Sequence, residues 1–354
     1  MKKIPFILVG TGNFALQRLK ILNDSEKFTA TAVVDIDTKK AKSKIEEYDK
    51  SLANKVYKNI STAIKEVKAE ACFIFARTSA HTELCIEAFD CGLHVYCVKS
   101  VSLNSIEFKK FYKTKKKYKN LVFLQGYNNQ WNEAALKMKE MVKKNLGIIL
   151  SGECHSWGRQ FNPVNPPQDD ALHEGMFNHT MGCHQLSQLV SCMGEPEFLT
   201  SYSLQRKDTE LNWKGVFGTT GAHTIFEYKN SVPFSYTGMR VGHGNPYGVA
   251  SRWSGNWMFH GTEADLKREG GRITLYKQGN VTKDIFLKDL SDGLVDDELF
   301  QINLFYDDII NKNFDSETQK NSISIWCLME ACNFSAKNKE KIDFKKFKQE
   351  LLSI

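Results

Sequence analysis

A glycine-containing turn between an apolar run and an amphipathic segment constrains this chain more than any other feature. Residues 4–9 are apolar, and Gly10-Thr11-Gly12-Asn13-Phe14-Ala15 follows them directly. Gly10 permits a tight turn, Gly12 lets the backbone approach a pyrophosphate, and Ala15 is small enough for a helix to pack closely on a strand. Phosphates would lie at the N-terminus of that helix, where free N–H groups favour anions. The turn therefore predicts a dinucleotide-binding unit.

An acidic residue after the next apolar run indicates which dinucleotide the turn would bind. Thr31-Ala32-Val33-Val34 ends in Asp35, twenty residues past Ala15. A carboxylate at this position can accept hydrogen bonds from both ribose hydroxyls of an adenosine, whereas a 2′-phosphate there would be repelled. Asp37 adds to the negative field. The sequence therefore predicts NAD as the cofactor in preference to NADP.

Length and composition set the broad class of the protein. A chain of 354 residues with 42% apolar content is long enough for two domains with sizeable cores. Because no run of about 18 apolar residues occurs and the N-terminus leads straight into a strand pattern, we expect no membrane span and no signal peptide. The nine cysteines include no Cys-x-x-Cys pair and are expected to be reduced core thiols. These features predict a cytoplasmic protein without a membrane partner.

The net charge of +7 raises the possibility of a nucleic-acid partner. The densest basic run, residues 109–119, lies on a predicted helix in which Phe108, Phe111 and Tyr112 recur at helical spacing. The aromatic residues form a buried face and leave the lysines as the solvated side, and no nucleic-acid motif accompanies them. We therefore expect no nucleic-acid partner.

The order of strand and helix patterns predicts two domains. Strands and helices alternate as far as residue 125, which indicates a doubly wound parallel sheet over residues 1–125. Residues 126–354 are expected to form an α+β domain around an open-faced, mainly antiparallel sheet, and its C-terminal helix could pack back on the first domain. The second domain is predicted to contain helices at 132–144, 176–191, 297–311 and 319–337, a strand at 148–156 and hairpin turns at 229–231, 269–271 and 278–280.

Four motifs along the chain carry a family resemblance. They are the glycine turn with Asp35, then Ala76 to His81, Gly92 to Ser100 and Gly175 to His184. With these motifs in this order, the chain resembles the Gfo/Idh/MocA family of glucose-fructose oxidoreductase, inositol dehydrogenase and rhizopine catabolism proteins. The resemblance covers nearly the whole chain. It implies hydride transfer between NAD(P) and a secondary alcohol of a sugar, cyclitol or sugar derivative, and a homodimer or homotetramer.

The resemblance also assigns site residues. Lys99 matches the lysine of the family's Glu-Lys-Pro motif, where a cation near the nicotinamide stabilises a developing alkoxide. His184 matches the family's histidine, and an imidazole is suited to accept a hydroxyl proton near neutral pH. An ordinary surface lysine and a hydrogen-bonded core histidine are the competing interpretations. The cofactor contacts implied are Gly10, Thr11, Gly12, Asn13, Phe14, Asp35, Ala76, His81 and Lys99, and the substrate contacts are Asn128, Arg159, Thr180 and His184.

Three positions at the expected reaction site depart from the family pattern. Val98 replaces the family's Glu, Ser100 its Pro and Thr180 its Asp. Losing the proline removes a cis preference, because a cis bond before Ser costs about 3 kcal/mol more than trans, so we expect Lys99 to point differently. Thr180, one helical turn before His184, can replace the hydrogen bond of the Asp but not its charge.

The departures leave two interpretations within the family. In one, the chain is an active dehydrogenase with a shifted catalytic arrangement that uses His179, or that uses Arg159 and Asn162 on an anionic substrate. In the other, the chain binds a dinucleotide or a sugar without turnover and serves as a sensor or partner subunit.

A metal hydrolase is a third interpretation, from a different class. It would use the histidines at 155, 173, 179 and 184 as zinc ligands. Their spacings match no zinc signature, and His179 and His184 would lie about 140° apart on an α-helix. We therefore expect no metal site.

Overall fold

The computed structural model describes residues 2–157, 177–205, 219–239, 247, 251–288 and 295–353. The chain divides into two compact units. The N-terminal unit contains Met1–Gly126 together with Gln301–Ser322, and the C-terminal unit contains Tyr127–Phe300 together with Ile323–Ser353.

The N-terminal unit is built on a parallel six-stranded sheet of order β3-β2-β1-β4-β5-β6, which confirms the predicted doubly wound architecture. The strand order reverses between β1 and β4, and ligands of such sheets bind at the carboxyl ends of the strands beside that reversal. The strands are β1 Ile4–Val9, β2 Phe28–Val34, β3 Val56–Tyr57, β4 Ala71–Ile74, β5 His94–Val98 and β6 Phe123–Gly126.

Six helices of the N-terminal unit lie between these strands, and capping side chains fix where four of them begin. Asp37, Asp49, Asn59 and Asn104 each accept a backbone N–H from the first turn of the helix that follows. The helices are α1 Asn13–Asp24, α2 Thr38–Glu46, α3 Lys50–Ala53, α4 Ile60–Glu66, α5 Thr78–Asp90 and α6 Ser105–Lys117.

Aromatic side chains fill the core of the N-terminal unit. Phe73 lies at the centre, with ring centroids 5.0 Å from Phe6, 5.1 Å from Phe28 and 5.5 Å from Phe305. Phe305 belongs to the returning segment Gln301–Ser322, and two polar contacts also hold that segment. The Gln301 amide donates to Gln125 O at 2.8 Å, and the Tyr306 hydroxyl donates to Lys2 O at 2.8 Å. The returning segment therefore completes the core of the N-terminal unit.

The C-terminal unit contains a nine-stranded sheet, counted over the described residues, of order β14-β13-β12-β11-β7-β10-β9-β8-β15. The β7/β10 pair is parallel, and the other pairings given for this sheet are antiparallel, which confirms the predicted mainly antiparallel sheet. The strands are β7 Ile149–Trp157, β8 Phe198–Gln205, β9 Thr219–Tyr228, β10 Val232–Met239, β11 Asn256–Gly261, β12 Asp265–Glu269, β13 Arg272–Lys277, β14 Asn280–Phe286 and β15 Ile342–Asp343.

The three predicted hairpin turns are confirmed, because each connects neighbouring antiparallel strands. Asn230 and Ser231 have φ values of 62° and 58° between β9 and β10, Gly270 has 58° between β12 and β13, and Gly279 has 78° between β13 and β14. Such left-handed conformations suit two-residue turns between twisted strands.

The predicted helices of the second half are present, with one difference. The segment expected as a regular helix over 176–191 begins as a π-helical turn, Asn178–Gly182, before it continues as an α-helix. A Cβ at Gly182 would lie 2.9 Å from Asn178 Oδ1, so the glycine leaves room for the Asn178 side chain within this turn. The helices are α7 Glu133–Asn145, α8 Cys183–Met193, α9 Ser251–Ser254, α10 Val295–Ile310, α11 Glu317–Asn338 and α12 Phe344–Leu352, and short 3₁₀ turns occupy Asn128–Trp131 and Lys229–Ser231.

The cysteines and the helix composition bear on two sequence expectations. Cys91 is partly exposed and the other eight cysteines are buried, as predicted for core thiols. Burial raises the pKa of the Cys72 thiol well above its usual range. Among the described helices, none combines the length and the apolar composition that a bilayer crossing requires.

Candidate functional site

A cavity of about 520 Å³ opens in the N-terminal unit where β1, β2 and β4 end. It lies at the reversal of strand order, the place where doubly wound sheets bind their ligands. The cavity brings together five of the predicted cofactor residues, Gly10, Thr11, Gly12, Asp35 and Ala76. It also includes Lys58, Arg77 and Ser79, which the sequence did not assign to a cofactor.

The two glycines of the turn have different structural roles. Gly10 has φ +96°, and a Cβ there would lie 2.8 Å from the carbonyl oxygen of Phe75, so the position excludes other side chains. A Cβ at Gly12 would meet no atom within 4 Å. The space in front of Gly12 is therefore open for a ligand to contact the backbone.

Two helix N-termini border this cavity. Helix α1 begins after Gly12 without a side-chain cap, and helix geometry leaves the N–H groups of its first turn, which includes Asn13 and Phe14, without intrahelical acceptors. Helix α5 likewise begins after Arg77 without a side-chain cap. Because helix N-termini carry partial positive charge, the cavity fits the pyrophosphate of a dinucleotide.

The Asp35 carboxylate also lines the cavity and is fixed by hydrogen bonds within the chain. Its Oδ2 accepts hydrogen bonds from the Thr11 backbone N–H at 2.9 Å and the Thr11 hydroxyl at 2.7 Å. Its Oδ1 accepts the Asp37 backbone N–H at 3.0 Å. The Asp37 carboxylate caps α2, whereas Asp35 is the acidic residue that lines the cavity.

The structure corrects the expectation for Lys99. The Lys99–Ser100 peptide bond is cis although serine replaces proline. Hydrogen bonds hold the segment after it: Ser100 O contacts His81 Nδ1 at 2.7 Å, the Ser100 hydroxyl donates to Ser102 O, and the Thr82 hydroxyl donates to Val101 O. Lys99 is half-buried directly after β5. Loss of the proline therefore does not remove the cis bond.

Both ring nitrogens of His81 face backbone carbonyl groups. Its ring is fully buried, with Nδ1 facing Ser100 O and Nε2 facing Ala76 O at 3.0 Å. The imidazole thus connects the loop after β4 with the loop after β5. The sequence showed that a histidine occurs here but not that both ring nitrogens face backbone carbonyl groups.

In the C-terminal unit, His184 lies against a tryptophan that the sequence did not single out. The His184 ring is nearly buried and meets the Trp253 ring edge-on, with centroids 5.1 Å apart. Trp253 O accepts hydrogen bonds from the Asn129 amide at 2.9 Å and the Gln185 amide at 2.6 Å. These contacts fix the tryptophan beside His184. The predicted substrate contact Asn128 is the half-buried neighbour of Asn129 in the same 3₁₀ turn.

Thr180 and His184 do not have the predicted α-helical relationship. Thr180 lies in the π-helical turn and His184 in α8, so a regular i, i+4 face does not connect them. The Thr180 hydroxyl donates to Phe177 O at 3.3 Å. The threonine hydroxyl thus donates a hydrogen bond to the backbone of its own helix. An ionised aspartate, the family's residue at this position, could not make this bond because a carboxylate only accepts hydrogen bonds.

The other candidate histidines have separate surroundings. His179 is fully buried, with Nε2 3.4 Å from Glu330 Oε2 and its ring 5.1 Å from Trp326. His155 lies 3.5 Å from Glu153 and stacks on Tyr247. Within the described part of the chain, no group of three histidines, cysteines or carboxylates could hold a metal ion. The candidates Arg159, Asn162 and His173 lie outside the described residues.

Comparisons with known proteins agree with this fold. The family model described as "Oxidoreductase family, NAD-binding Rossmann fold" (GFO_IDH_MocA) matches residues 4–125. A myo-inositol 2-dehydrogenase of Thermotoga maritima is 25% identical over 185 residues, which cover 52% of each chain. The curated relatives are thus matched over about half of their length or less.

Solved structures match the fold along nearly the whole chain. An oxidoreductase from Agrobacterium radiobacter, in complex with NAD+, L-tartaric acid and magnesium, has a TM-score of 0.81 at 15% identity and covers 98% of this chain and 99% of its own. The myo-inositol 2-dehydrogenase of Lactobacillus plantarum has a TM-score of 0.73 at 17% identity, with coverage of 97% and 99%. These findings bear out the family resemblance: residues 4–125 match the NAD-binding Rossmann model of the Gfo/Idh/MocA oxidoreductase family, and the chain shares the fold of these solved structures along nearly its whole length.

Proposed function

We propose that this chain is an NAD-dependent oxidoreductase that transfers a hydride between nicotinamide and a secondary alcohol or ketone of a sugar, cyclitol or sugar derivative. The observation that carries the proposal is the cavity at the reversal of strand order. It combines an open glycine turn, two helix N-termini without side-chain caps and the fixed carboxylate of Asp35. The inositol dehydrogenases among the relatives support a polyhydroxylated substrate.

The residues of the chain divide the work of the proposed reaction. Bound nicotinamide would supply the hydride acceptor or donor, as the cofactor does in such enzymes. Lys99 is assigned to stabilise the negative charge that develops on the substrate oxygen. His184 is assigned to accept the hydroxyl proton, with its ring orientation maintained by Trp253. His81 is assigned to hold the loop that carries Lys99, through its contact with Ser100 O.

The proposal also covers the cofactor preference, the roles of the two domains and the oligomeric state. Asp35 selects NAD over NADP, because a 2′-phosphate would meet its charge. Residues 1–125 form the cofactor domain, to which Gln301–Ser322 adds, and the remainder of 126–354 forms the substrate domain. The protein is cytoplasmic and forms a homodimer or homotetramer. Light scattering after size exclusion would test the oligomeric state directly.

Binding of the cofactor is the first experiment. The purified protein is checked for nicotinamide that has co-purified and is then titrated with NADH and, separately, with NADPH while nicotinamide fluorescence is followed. Tight binding of NADH with a clear preference over NADPH supports the proposal and justifies a screen of sugars and cyclitols for a change in nicotinamide absorbance. Binding of neither dinucleotide overturns it.

One observation favours a second function, a dinucleotide- or sugar-binding protein without turnover. The family's carboxylate is missing at 180, and the threonine there directs its hydroxyl to Phe177 O. A sensor or partner subunit would bind NADH as tightly as an enzyme does. It would show no substrate-dependent change in nicotinamide absorbance with any sugar or cyclitol in the screen.

A further inference from the structure

The hydrogen bonds of Asp35 determine how a ribose can be bound. An ionised carboxylate has about four acceptor positions, two on each oxygen. Both positions on Oδ2 are taken by the backbone N–H and the hydroxyl of Thr11, and one position on Oδ1 is taken by the Asp37 N–H. Over the described residues, Asp35 therefore retains one acceptor position, on Oδ1, for a ligand in the cavity.

Thr11 is itself held on both sides. Its side chain is only 5% exposed, and its carbonyl oxygen accepts a hydrogen bond from Lys44 Nζ at 2.8 Å. The preceding residue is fixed to the neighbouring strand, because the Gly10 N–H donates to Val34 O at 2.8 Å. Thr11 thus joins the loop after β1 to the loop after β2, and both loops line the cavity.

We propose that Thr11 is a positioning residue for cofactor selection, and that it leaves Asp35 able to accept only one of the two adenosine ribose hydroxyls. The proposal rests on the proposed function, since it presumes that the cavity binds a dinucleotide. It differs from the sequence expectation, in which Asp35 accepts both hydroxyls. The second hydroxyl has no acceptor on Asp35 while the Thr11 hydrogen bonds persist.

Two analogues of NADH distinguish one acceptor position from two. NADH is compared with forms that lack the adenosine 2′-hydroxyl or the adenosine 3′-hydroxyl, and dissociation constants are measured with wild-type protein by nicotinamide fluorescence. We expect one analogue to bind at least about fivefold more weakly than NADH and the other to bind within about twofold of it. Equal weakening of both analogues overturns the proposal.

Substitution of Thr11 tests its positioning role. Thr11→Val keeps the shape and removes the hydroxyl donor to Asp35, whereas Thr11→Ser keeps the donor. Because Thr11→Val frees a second acceptor position on Asp35 Oδ2, we expect it to weaken binding of the two deoxy analogues by similar factors and to narrow the difference between NADH and NADPH, and Thr11→Ser to keep the wild-type values within about twofold. Wild-type binding and selectivity in Thr11→Val would refute the role.

A matched control separates loss of a hydroxyl from loss of this particular hydrogen bond. Thr31, on β2, donates its hydroxyl to Phe6 O at 3.1 Å and does not line the cavity. Thr31→Val should bind NADH as the wild type does. If the wild type binds neither dinucleotide, the proposed function itself fails, and the present inference fails with it; normal NADH binding with no effect of Thr11→Val refutes the inference alone.

Discussion

Replacing the two glycines of the turn by alanine should have different effects. We expect Gly10→Ala to lower folding stability and Gly12→Ala to weaken NADH binding. At Gly10, an alanine must adopt φ +96° and place its Cβ 2.8 Å from Phe75 O. A backbone in that region costs about 1–3 kcal/mol, and displacing a packed backbone group adds about 1–3 kcal/mol. We therefore expect Gly10→Ala to lower the free energy of unfolding of the N-terminal unit by about 3 kcal/mol.

At Gly12 the same change has space. The residue has φ −66° and ψ 164°, which any residue adopts, and its added Cβ would meet nothing within 4 Å. The free energy of unfolding of Gly12→Ala should therefore differ from that of the wild type by no more than about 0.5 kcal/mol. The methyl group occupies the space assigned to the pyrophosphate, so we expect NADH to bind at least about tenfold more weakly.

Calorimetry of both variants without added dinucleotide measures the stabilities, and fluorescence titration measures NADH binding. For a unit of this size, about 3 kcal/mol corresponds to a decrease of roughly 10 °C in the unfolding midpoint of Gly10→Ala. The reasoning is refuted by a wild-type midpoint in Gly10→Ala, or by undiminished NADH binding in Gly12→Ala.

Further predictions concern single side chains. Lys99→Ala should lower kcat by at least about 100-fold and leave the dissociation constant of NADH within about twofold, as measured by steady-state kinetics and titration. Asp35→Ala should weaken NADH binding by about tenfold and reduce the preference over NADPH, measured by the same titration. Burial lowers the pKa of His94 from 6.5 to about 4. Between these pH values His94 is protonated in the unfolded chain but neutral in the folded chain, so protonation favours unfolding. Folding stability should therefore fall by about 3 kcal/mol as the pH decreases from about 6.5 to 4, measured by urea unfolding, and His94→Gln should remove this share of the loss.

Each of these predictions has an outcome that contradicts it. Equal loss of turnover and NADH affinity in Lys99→Ala would mean that the lysine holds the cofactor rather than the reacting oxygen, and Lys99→Arg tests whether a cation alone suffices. Unchanged selectivity in Asp35→Ala would place the discrimination elsewhere. If the acid-induced loss of stability persists in His94→Gln, titratable groups other than His94 cause that loss.

Local periodicity explains which elements the sequence predicted well. The apolar run, turn and helix around Gly10 depend on neighbouring residues, and so do the hairpin turns at Asn230, Gly270 and Gly279. In each case a single residue type satisfies a backbone requirement that few others can meet. Short stretches of the sequence are therefore sufficient to predict these elements.

Contacts between distant residues explain what the sequence did not provide. Trp253 is fixed by Asn129 and Gln185, which lie 124 and 68 positions away. The cis bond after Lys99 belongs to a segment held by His81, which lies 19 positions before Ser100. No local pattern encodes these relationships, because each arises only when separate elements pack together.

The returning segment Gln301–Ser322 has a consequence for how the protein is made. Residues 1–126 leave the ribosome about 200 residues before Ser322, which at typical rates of synthesis is an interval of ~10–40 s. During that interval the aromatic core around Phe73 lacks Phe305, and the carbonyl groups of Lys2 and Gln125 lack their side-chain donors. The nascent segment of residues 1–126 therefore exposes an unfilled apolar surface, which is the kind of surface that chaperones bind. Synthesis of residues 301–322 sets the earliest time at which the core beneath the dinucleotide site can be complete.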